Sequence, residues 1–456
     1  MLELKSFIKK TDRQTVIEIL LWLVLLLILS GSIILIGVSG KFTRYLEIRF
    51  YQEPLTLIPG IFILIHLIFI TVSALFYRKP PENLSRLPSC TVIVPAYNEG
   101  PQVAETLKSL LAADYPAEKM EIIAVNDGSQ DDTLYWINSV RNEFPYRIKV
   151  IDLPVNHGKK YALYTAFHAA RHEFLITVDS DSLIGKESIR QLLIPFADPA
   201  VGAVAGAIGK KAKANNFHVW MFDVMLVFGC GFLRKGQSLC NNVMCTPGAL
   251  SAYRKSAVIP VSDQWLAQTF LGVPAKIGED RAIATLLLNA DWQIAYNEEA
   301  RAETTLPVNY AGVCRMLLRW TRSDIRENLV MVKPVCRNLF KKGWRGINLF
   351  ILWFLLTASM FMPLLFLPAW IITTAVYRDF WHIQTASLVL VSLIWSIPSA
   401  VVYYREKRSL RSLIWCFWSG FYGIFTFSWI AVYALFTLRD SRWMTRELKM
   451  DKSIIS

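Results

Sequence analysis

Charged residues are scarce in this chain. Asp, Glu, Lys and Arg make up 19% of its 456 residues and hydrophobic residues make up 54%, whereas a soluble domain has about 25% charged and about 45–50% apolar residues. Long uncharged runs lie toward both ends, and the middle third has an ordinary globular composition. The pattern argues against a wholly soluble chain and indicates a membrane protein with one soluble domain inserted.

Paired cysteines are also lacking. The seven cysteines contain no CxxC pair and no spacing typical of a metal site, and their number is odd. On a cytoplasmic domain they are expected to be free thiols rather than a disulfide framework.

A cleavable signal peptide is not indicated. The first apolar run follows four basic residues and stays uncharged from Ile19 to Gly40. Because the apolar region of a signal peptide has only about 7–15 residues, we expect a membrane span here.

Five apolar runs reach the roughly 20 residues that a membrane-spanning helix needs. They are Ile19–Gly40, Pro54–Tyr77, Gly346–Tyr377, Trp381–Tyr404 and Ser412–Leu438. Buried helices of a large soluble core are the alternative, but such helices are usually shorter and have a polar face. The predicted division is 1–87 with two spans, 88–306 as the soluble domain, 307–345 as amphipathic interface helices, and 346–456 with three or four spans and a short basic tail.

Positive charge sets the predicted orientation. Arg78 and Lys79 follow the second run, and Lys341, Lys342 and Arg345 precede the third. Basic residues concentrate in cytoplasmic loops, so we expect a multi-pass protein of the cell membrane with its central domain in the cytoplasm. The net charge of +13 could also suggest nucleic-acid binding, but this clustering favours the bilayer as the partner and no nucleic acid.

The number of C-terminal spans stays open at this point. Three spans after the central domain would leave the C-terminus outside, yet the last 18 residues are rich in Lys and Arg. Pro363 and Pro368 lie inside the third run, so that run is a candidate for a broken or re-entrant segment.

The central region alternates β-rich runs with helical stretches, which predicts β-α-β units and a mostly parallel sheet. The runs Thr91–Ala96, Glu121–Val125, Ile148–Leu153 and Phe174–Val178 are continuously apolar or nearly so, as expected of strands buried on both faces. Acidic residues follow three of these runs. Since ligands bind outside the carboxyl ends of such strands, the acids are expected to share one crevice.

Several short motifs in this region suggest chemistry, although each has an ordinary structural explanation. The acids Asp179 and Asp181 suit a hard divalent cation, but acid pairs in solvated turns are common. Asp127, with Glu99 beside it, could accept hydrogen bonds from a base or ribose, but Asp-Gly is a frequent turn. The His157–Lys160 loop could meet phosphate as a point charge, or it is a solvated basic loop.

Two further motifs follow the strands. Glu279 and Asp280 open a helical stretch, where a carboxylate can act as general base or simply favour the helix dipole. Arg319 can hold a diphosphate with two parallel hydrogen bonds, and Trp320 offers a stacking face for a sugar. The alternative is an ordinary aromatic and basic pair at a membrane interface.

In this order the motifs resemble those of processive family-2 glycosyltransferases, with hyaluronan synthases and rhizobial chitooligosaccharide synthases most similar. The resemblance runs from about Thr91 to Lys333 and rests on VIVPAYNE, VNDGSQDDT, NHGKKYAL, TVDSDS, GQSL, MCTPGALSAYR, QTFLG, IGEDR and LLRWTRSDIRE. It implies a GT-A-like α/β nucleotide-sugar transferase domain inserted in a helical transmembrane bundle.

The resemblance also implies a role for each matching residue. Asp280 would be the catalytic base, next to Glu279, and Asp181 would bind Mg²⁺ or Mn²⁺. Arg319 and Trp320 would bind the diphosphate and the acceptor end. The UDP-sugar would be held by Tyr97, Glu99, Asp127, Lys160, Asp179 and Arg319, and the acceptor by Trp320, Cys245 and Met316.

Met316 is a departure from the family pattern QxxRW, whose first position is Gln. A thioether cannot replace the hydrogen bonds of an amide, so the usual acceptor geometry is in question.

The predicted activity is therefore inverting, processive polymerisation of UDP-sugars, UDP-N-acetylglucosamine alone or with UDP-glucuronic acid, into an exported polysaccharide. Met316 favours the alternative, transfer of a single sugar to a lipid acceptor. A transporter or scaffold with a degenerate transferase domain is a third hypothesis, which the intact acidic and Arg-Trp motifs argue against.

Overall fold

A computed structural model of the chain describes residues 69–441 apart from 70, 75, 82–86, 212–215, 240, 408–409 and 411–412, together with Leu27, Arg44, Glu47, Ile65 and Ile68. The two predicted N-terminal spans lie almost wholly outside the described residues. The chain forms two compact units. One contains Phe69–Val219, Gly229–Thr357 and the residues from Tyr433 onward, and the other contains Trp220–Phe228 and Ala358–Val432.

The first unit is built on an eight-stranded sheet. Its strands are β1 (Cys90–Ala96), β2 (Met120–Asp127), β3 (Ile148–Leu153), β4 (Phe174–Thr177), β5 (Leu183–Ile184), β6 (Val201–Lys210), β7 (Ser251–Arg254) and β10 (Gln293–Thr304). Thr269–Phe270 (β8) and Val273–Pro274 (β9) form a separate hairpin. All four predicted strands are confirmed, with ends that differ by no more than two residues.

The sheet is mixed rather than mostly parallel. Its order is β3-β2-β1-β4-β7-β6-β10-β5. The first four strands are parallel, and so are β6 and β10, but β7 runs antiparallel to both β4 and β6, and β5 runs antiparallel to β10. The prediction was wrong here because β7 and β5 are too short, at four and two residues, to give a periodic signal.

Helices connect and cover these strands. They are α1 (Gln102–Leu111), α2 (Thr133–Glu143), α3 (Lys159–Ala169), α4 (Ser188–Leu193), α5 (Phe217–Met225), α6 (Leu233–Leu239), α7 (Lys255–Leu266) and α8 (Glu279–Asn289). A π-helical turn, Leu226–Phe232, joins α5 to α6. Every residue of β1 is buried, as its apolar sequence predicts.

Long helices follow the sheet: α9 (Tyr310–Asn338), α10 (Gly343–Val376), α11 (Trp381–Lys407) and α12 (Leu413–Phe436). The last three coincide with the three C-terminal apolar runs. The break suggested by Pro363 and Pro368 is not observed, since α10 continues as one helix through both prolines. The described C-terminal region thus has three long apolar helices rather than four.

Within the part of the chain that the structure describes, Phe217–Leu239 alone is a single helix long and apolar enough to cross a membrane. Leu413–Gly423 with Ser428–Phe436 would add a second if that bent pair is one span. Phe217–Leu239 was not among the predicted runs, because it lies inside the segment assigned to the soluble domain.

Within the second unit, α11 and α12 approach closely. A Cβ on Gly420 would lie 2.4 Å from the carbonyl oxygen of Ser392. The ring of Trp415 stacks on that of Trp220, with centroids 5.6 Å apart. The buried Tyr403 hydroxyl donates to Asp223 at 2.8 Å, which partners a carboxylate in otherwise apolar surroundings.

Two glycines with positive φ allow a test of the turns that shape the domain. Gly128 (φ 66°) follows β2, and a Cβ there would lie 2.4 Å from the backbone of Val155. Gly272 (φ 77°), in the β8–β9 turn, has open space around it. A left-handed residue with a Cβ costs roughly 1–2 kcal/mol, so Gly272→Ala should be mildly destabilising and Gly128→Ala clearly more so, because a backbone clash is added.

Thermal unfolding of the purified chain measures the difference. We expect Gly128→Ala to lower the Tm by at least twice as much as Gly272→Ala. Equal shifts would mean that the β2 turn and the loop around Val155 are not packed as described.

Candidate active site

The carboxyl end of β2 holds the start of α3 in place. Asp127, which is buried, accepts hydrogen bonds from the backbone N–H groups of His157 at 2.9 Å and Gly158 at 2.8 Å. Gly158 has φ 92° and is the N-cap of α3. The predicted nucleotide-binding carboxylate therefore fixes the position of the first helical residue, Lys159.

Lys159 joins two acidic motifs that are 100 residues apart in the sequence. Its Nζ lies 2.5 Å from Asp179 Oδ1, just after β4, and 2.8 Å from Glu279 Oε1, at the start of α8. The lysine side chain is 11% exposed and that of Glu279 is 5% exposed. Burial alone would lower the pKa of Lys159, but the two carboxylates outweigh it and raise the pKa above its ordinary value. The ammonium is thus the positive centre of the site.

Lys160, the lysine predicted to lie near the nucleotide, has different partners. Its Nζ donates to Gln268 Oε1 at 3.3 Å and to the carbonyl of Ala275 at 3.2 Å, and it lies over the ring of Trp265. Burial, and next the positive charge of Arg326, lower the pKa of Lys160 to about 8. Successive residues of a helix point about 100° apart, so only one lysine of the pair can reach Asp179.

Asp280 follows Glu279 and has a different environment. Its Oδ1 accepts from the backbone N–H of Arg281 at 2.8 Å, and Cys245 Sγ lies 3.8 Å from its Oδ2. Burial, and next the negative charge of Glu279, raise the pKa of Asp280 above its ordinary value, against the opposing charges of Lys159 and Arg319. Burial also raises the pKa of Glu279, but the charge of Lys159 outweighs burial and holds that pKa below its ordinary value. The pKa values of these two adjacent carboxyl groups are thus shifted in opposite directions.

Arg281, the residue after this acidic pair, anchors the start of α8 to neighbouring segments. The guanidinium, which is buried, donates to the carbonyl of Met244 and to Asn328 Oδ1, the latter at 2.7 Å, and pairs with Asp324 at 3.5 Å. It therefore links the start of α8 to α9 and to the segment before Cys245. The N-cap Gly278 has φ 69°, and a Cβ there would overlap Ser323 on α9.

The other predicted residues border this cluster to different degrees. Arg319, on α9, is close enough for its charge to lower the pKa of both Glu279 and Asp280. Met316 and Trp320 are half-buried on the same helix. Tyr97 and Glu99 follow β1 and are half-buried, and the Glu99 N–H donates to Thr133 Oγ1 at 2.8 Å.

Asp181 was predicted to bind a metal, and its Oδ1 lies 3.4 Å from the hydroxyls of Ser182 and Thr304. Among the residues that the structure describes, no three His, Cys, Asp or Glu side chains are grouped as a metal site would require. The nearby carboxylates of Asp179 and Asp181 fit Mg²⁺ or Mn²⁺ only in company with a ligand's phosphates, which is how Mg²⁺ is usually held.

The sequence pointed to the His157–Lys160 loop, but the resemblance gave the nucleotide-binding role to Lys160 and none to Lys159 or Gly248. The GKK motif alone does not show which lysine begins the helix. Gly248 lies so close to the cluster that a Cβ would be 2.4 Å from Lys159 Nζ and 3.1 Å from Asp179 Oδ1. Gly248 is the glycine of the MCTPGALSAYR motif, which carries the resemblance but did not indicate a role for this residue.

Comparisons with known proteins identify the family that the chain resembles. Residues 91–261 match the profile of Glycosyl transferase family 2. The chain is 30% identical over 377 residues to an N-acetylglucosaminyltransferase of Mesorhizobium japonicum, covering 80% of this chain and 84% of that protein. It is 28% identical over 413 residues to the hyaluronan synthase of Streptococcus pyogenes, covering 88% of this chain and 94% of that one.

Solved structures of similar fold include a mannosyltransferase from Pyrobaculum calidifontis in complex with GDP-mannose and Mn²⁺, with a TM-score of 0.51 and 17% identity over 87% of this chain and 99% of that one. The fold is thus GT-A-like, with a mixed sheet and flanking helices. The sequence relatives and the matched profile together show that this chain is a glycosyltransferase of family 2.

Proposed function

We propose that this protein is a membrane-bound, inverting, processive β-glycosyltransferase that polymerises sugars from UDP-sugars on the cytoplasmic side of the cell membrane. The observation that carries the proposal is the contrast at the start of α8. Lys159 holds Glu279 ionised, while the adjacent Asp280 has a raised pKa. Glu279 can therefore serve as the counter-ion of Lys159, and Asp280 as the general base.

In the proposed reaction, Asp280 takes the proton from the acceptor hydroxyl as the acceptor oxygen bonds to the anomeric carbon of the donor. The bond from that carbon to the diphosphate oxygen breaks with its electron pair, UDP leaves, and the α-linkage becomes a β-linkage. Lys159 and Arg319 supply positive charge toward the departing diphosphate. Tyr97 and Glu99, which follow β1, and Asp127, the last residue of β2, border the uridine.

A divalent cation, Mg²⁺ or Mn²⁺, would be held by Asp181 with Asp179 beside it. When bound with the donor it would neutralise charge on the diphosphate.

The proposed acceptor is the growing polymer, which would bind beside Asp280 at Cys245, Met316 and Trp320. The sequence relatives include a hyaluronan synthase and an N-acetylglucosaminyltransferase. This similarity supports UDP-N-acetylglucosamine as a donor, alone or with UDP-glucuronic acid. The long apolar helices α10, α11 and α12 support a membrane location and an export path. The proposed segments of the chain end at residues 87, 306 and 345, as the sequence indicates.

A second candidate is the transfer of one sugar to a lipid acceptor. Met316 favours it, because a thioether cannot make the hydrogen bonds of an amide beside the acceptor. Mass spectrometry of the product made from a panel of UDP-sugars separates the two. A long polymer supports the proposal, a single glycolipid supports the second candidate, and no product with any UDP-sugar contradicts both.

Replacement of Asp280 by Asn should abolish transfer, because the amide cannot accept the acceptor proton. UDP binding should persist, since the Lys159 cluster remains. Sugar transfer and calorimetric UDP binding are measured side by side, with the exposed Asp263→Asn as the matched control that keeps activity. Transfer that survives in Asp280→Asn would remove this residue from the base role.

The pH profile of kcat should show an acid limb above the ordinary Asp pKa of about 3.9. Asp280 loses its function as a base when pH falls through its raised pKa and the carboxylate is protonated. Activity should therefore decline at a higher pH than it would with an ordinary Asp. Glu279→Gln removes a negative charge that raises the pKa of Asp280, and the limb should therefore move to lower pH.

Glu143→Gln is the control for that profile, because Glu143 pairs with Lys108 on the surface and its loss should leave the limb in place. An acid limb that is unchanged, or moves to higher pH, in Glu279→Gln would contradict the coupling between the two carboxyl groups.

A further inference from the structure

The Lys159 ammonium forms ion pairs with two carboxylates that have different roles in the proposed reaction. Lys159 Nζ lies 2.5 Å from Asp179, in the motif proposed to receive the metal, and 2.8 Å from Glu279, beside the proposed base. Glu279 is almost fully buried and Asp179 is about one-third exposed. Of the two partners, Asp179 is therefore the one that an incoming ligand can reach.

The surroundings favour this contact. Gly248 leaves no room for a side chain, since a Cβ would lie 2.4 Å from Lys159 Nζ and within 3.2 Å of both Asp179 oxygens. On the other side, Asp127 fixes the start of α3 through the N–H groups of His157 and Gly158. The ammonium is thus held against Asp179 by the backbone on both sides, rather than by a chance surface contact.

An ammonium and a divalent cation compete for the same carboxylate, because both need its oxygens and they repel each other. A diphosphate changes this balance. It attracts the ammonium as a point charge and supplies oxygens that complete the coordination of the metal. Lys159 has a flexible four-carbon side chain, so its Nζ can leave Asp179 without movement of α3.

We propose that Lys159 is the resident counter-ion of Asp179 until a donor arrives, and that donor binding draws the ammonium to the diphosphate and leaves Asp179 to the divalent cation. This inference rests on the proposed function. Metal and nucleotide then bind cooperatively, and by linkage each raises the affinity for the other by the same factor. The protein would avoid holding a metal without its donor.

Mn²⁺ binding to the full-length protein, followed by the electron paramagnetic resonance signal of free Mn²⁺ with and without UDP, tests this. In the wild type we expect UDP to raise Mn²⁺ affinity about fivefold or more, in the usual range of such coupling. Lys159→Met should bind Mn²⁺ more tightly than the wild type when UDP is absent, and its response to UDP should shrink. The control is Lys149→Met, because Lys149 is exposed and bonds the Ala169 carbonyl.

Lys159→Gln is a second variant, whose amide can still donate a hydrogen bond to the buried Glu279 and so limits the cost of leaving that carboxylate without a partner. It removes the charge that competes with the metal at Asp179, so nucleotide-free Mn²⁺ affinity should rise. Lys149→Gln is the matched control, because Lys149 is exposed.

The proposal is wrong if neither Lys159→Met nor Lys159→Gln gains nucleotide-free Mn²⁺ affinity, whether or not UDP binding changes. That result would leave the proposed transferase function intact. Conversely, a gain in both variants together with no UDP binding to the wild type would support the counter-ion role and contradict the proposed donor.

Discussion

The burial of one ammonium between two carboxylates is the constraint on which the site depends. Charges removed from water must be paired, and the loss of one partner of a buried pair costs roughly 3–5 kcal/mol. Lys159 therefore ties together the start of α3, the segment after β4 and the start of α8. Gly248 leaves room for the ammonium, because a Cβ there would lie 2.4 Å from Nζ, and Asp127 holds the start of α3 through the N–H groups of His157 and Gly158.

The same pairing separates the roles of the two neighbouring acids. Lys159 stabilises the ionised form of Glu279, and the resulting negative charge, together with burial, favours the protonated form of Asp280. A general base benefits from a pKa nearer the working pH than that of an ordinary Asp. The sheet makes this possible, since the parallel order of β3, β2, β1 and β4 brings their carboxyl ends to one edge.

Much of this edge could be predicted from the sequence, because buried parallel strands are continuously apolar and polar residues mark where they end. The start of α8 at Glu279 and the helix that carries Arg319 were also predictable. The choice between Lys159 and Lys160 was not, because it depends on the residue at which α3 begins. The antiparallel β7 was missed because a four-residue strand is positioned by its neighbours rather than by its own pattern.

The apolar segments illustrate a different limit. Hydropathy located α10, α11 and α12 well, but Pro363 and Pro368 suggested a break that the helix does not have. A proline near other helices can be accommodated without ending its own helix. Phe217–Leu239 was overlooked because it lies between β6 and β7, inside the predicted soluble domain 88–306.

The central claim is that the donor diphosphate binds at the edge formed by Lys159, Asp179 and Glu279. A cryo-electron microscopy map of the full chain with UDP and Mn²⁺ tests it most directly. The account predicts density for the diphosphate within hydrogen-bonding distance of Lys159 Nζ, with Mn²⁺ between the phosphates and Asp179 or Asp181. Density for UDP elsewhere on the domain, with Lys159 still bridging Asp179 and Glu279, would contradict it.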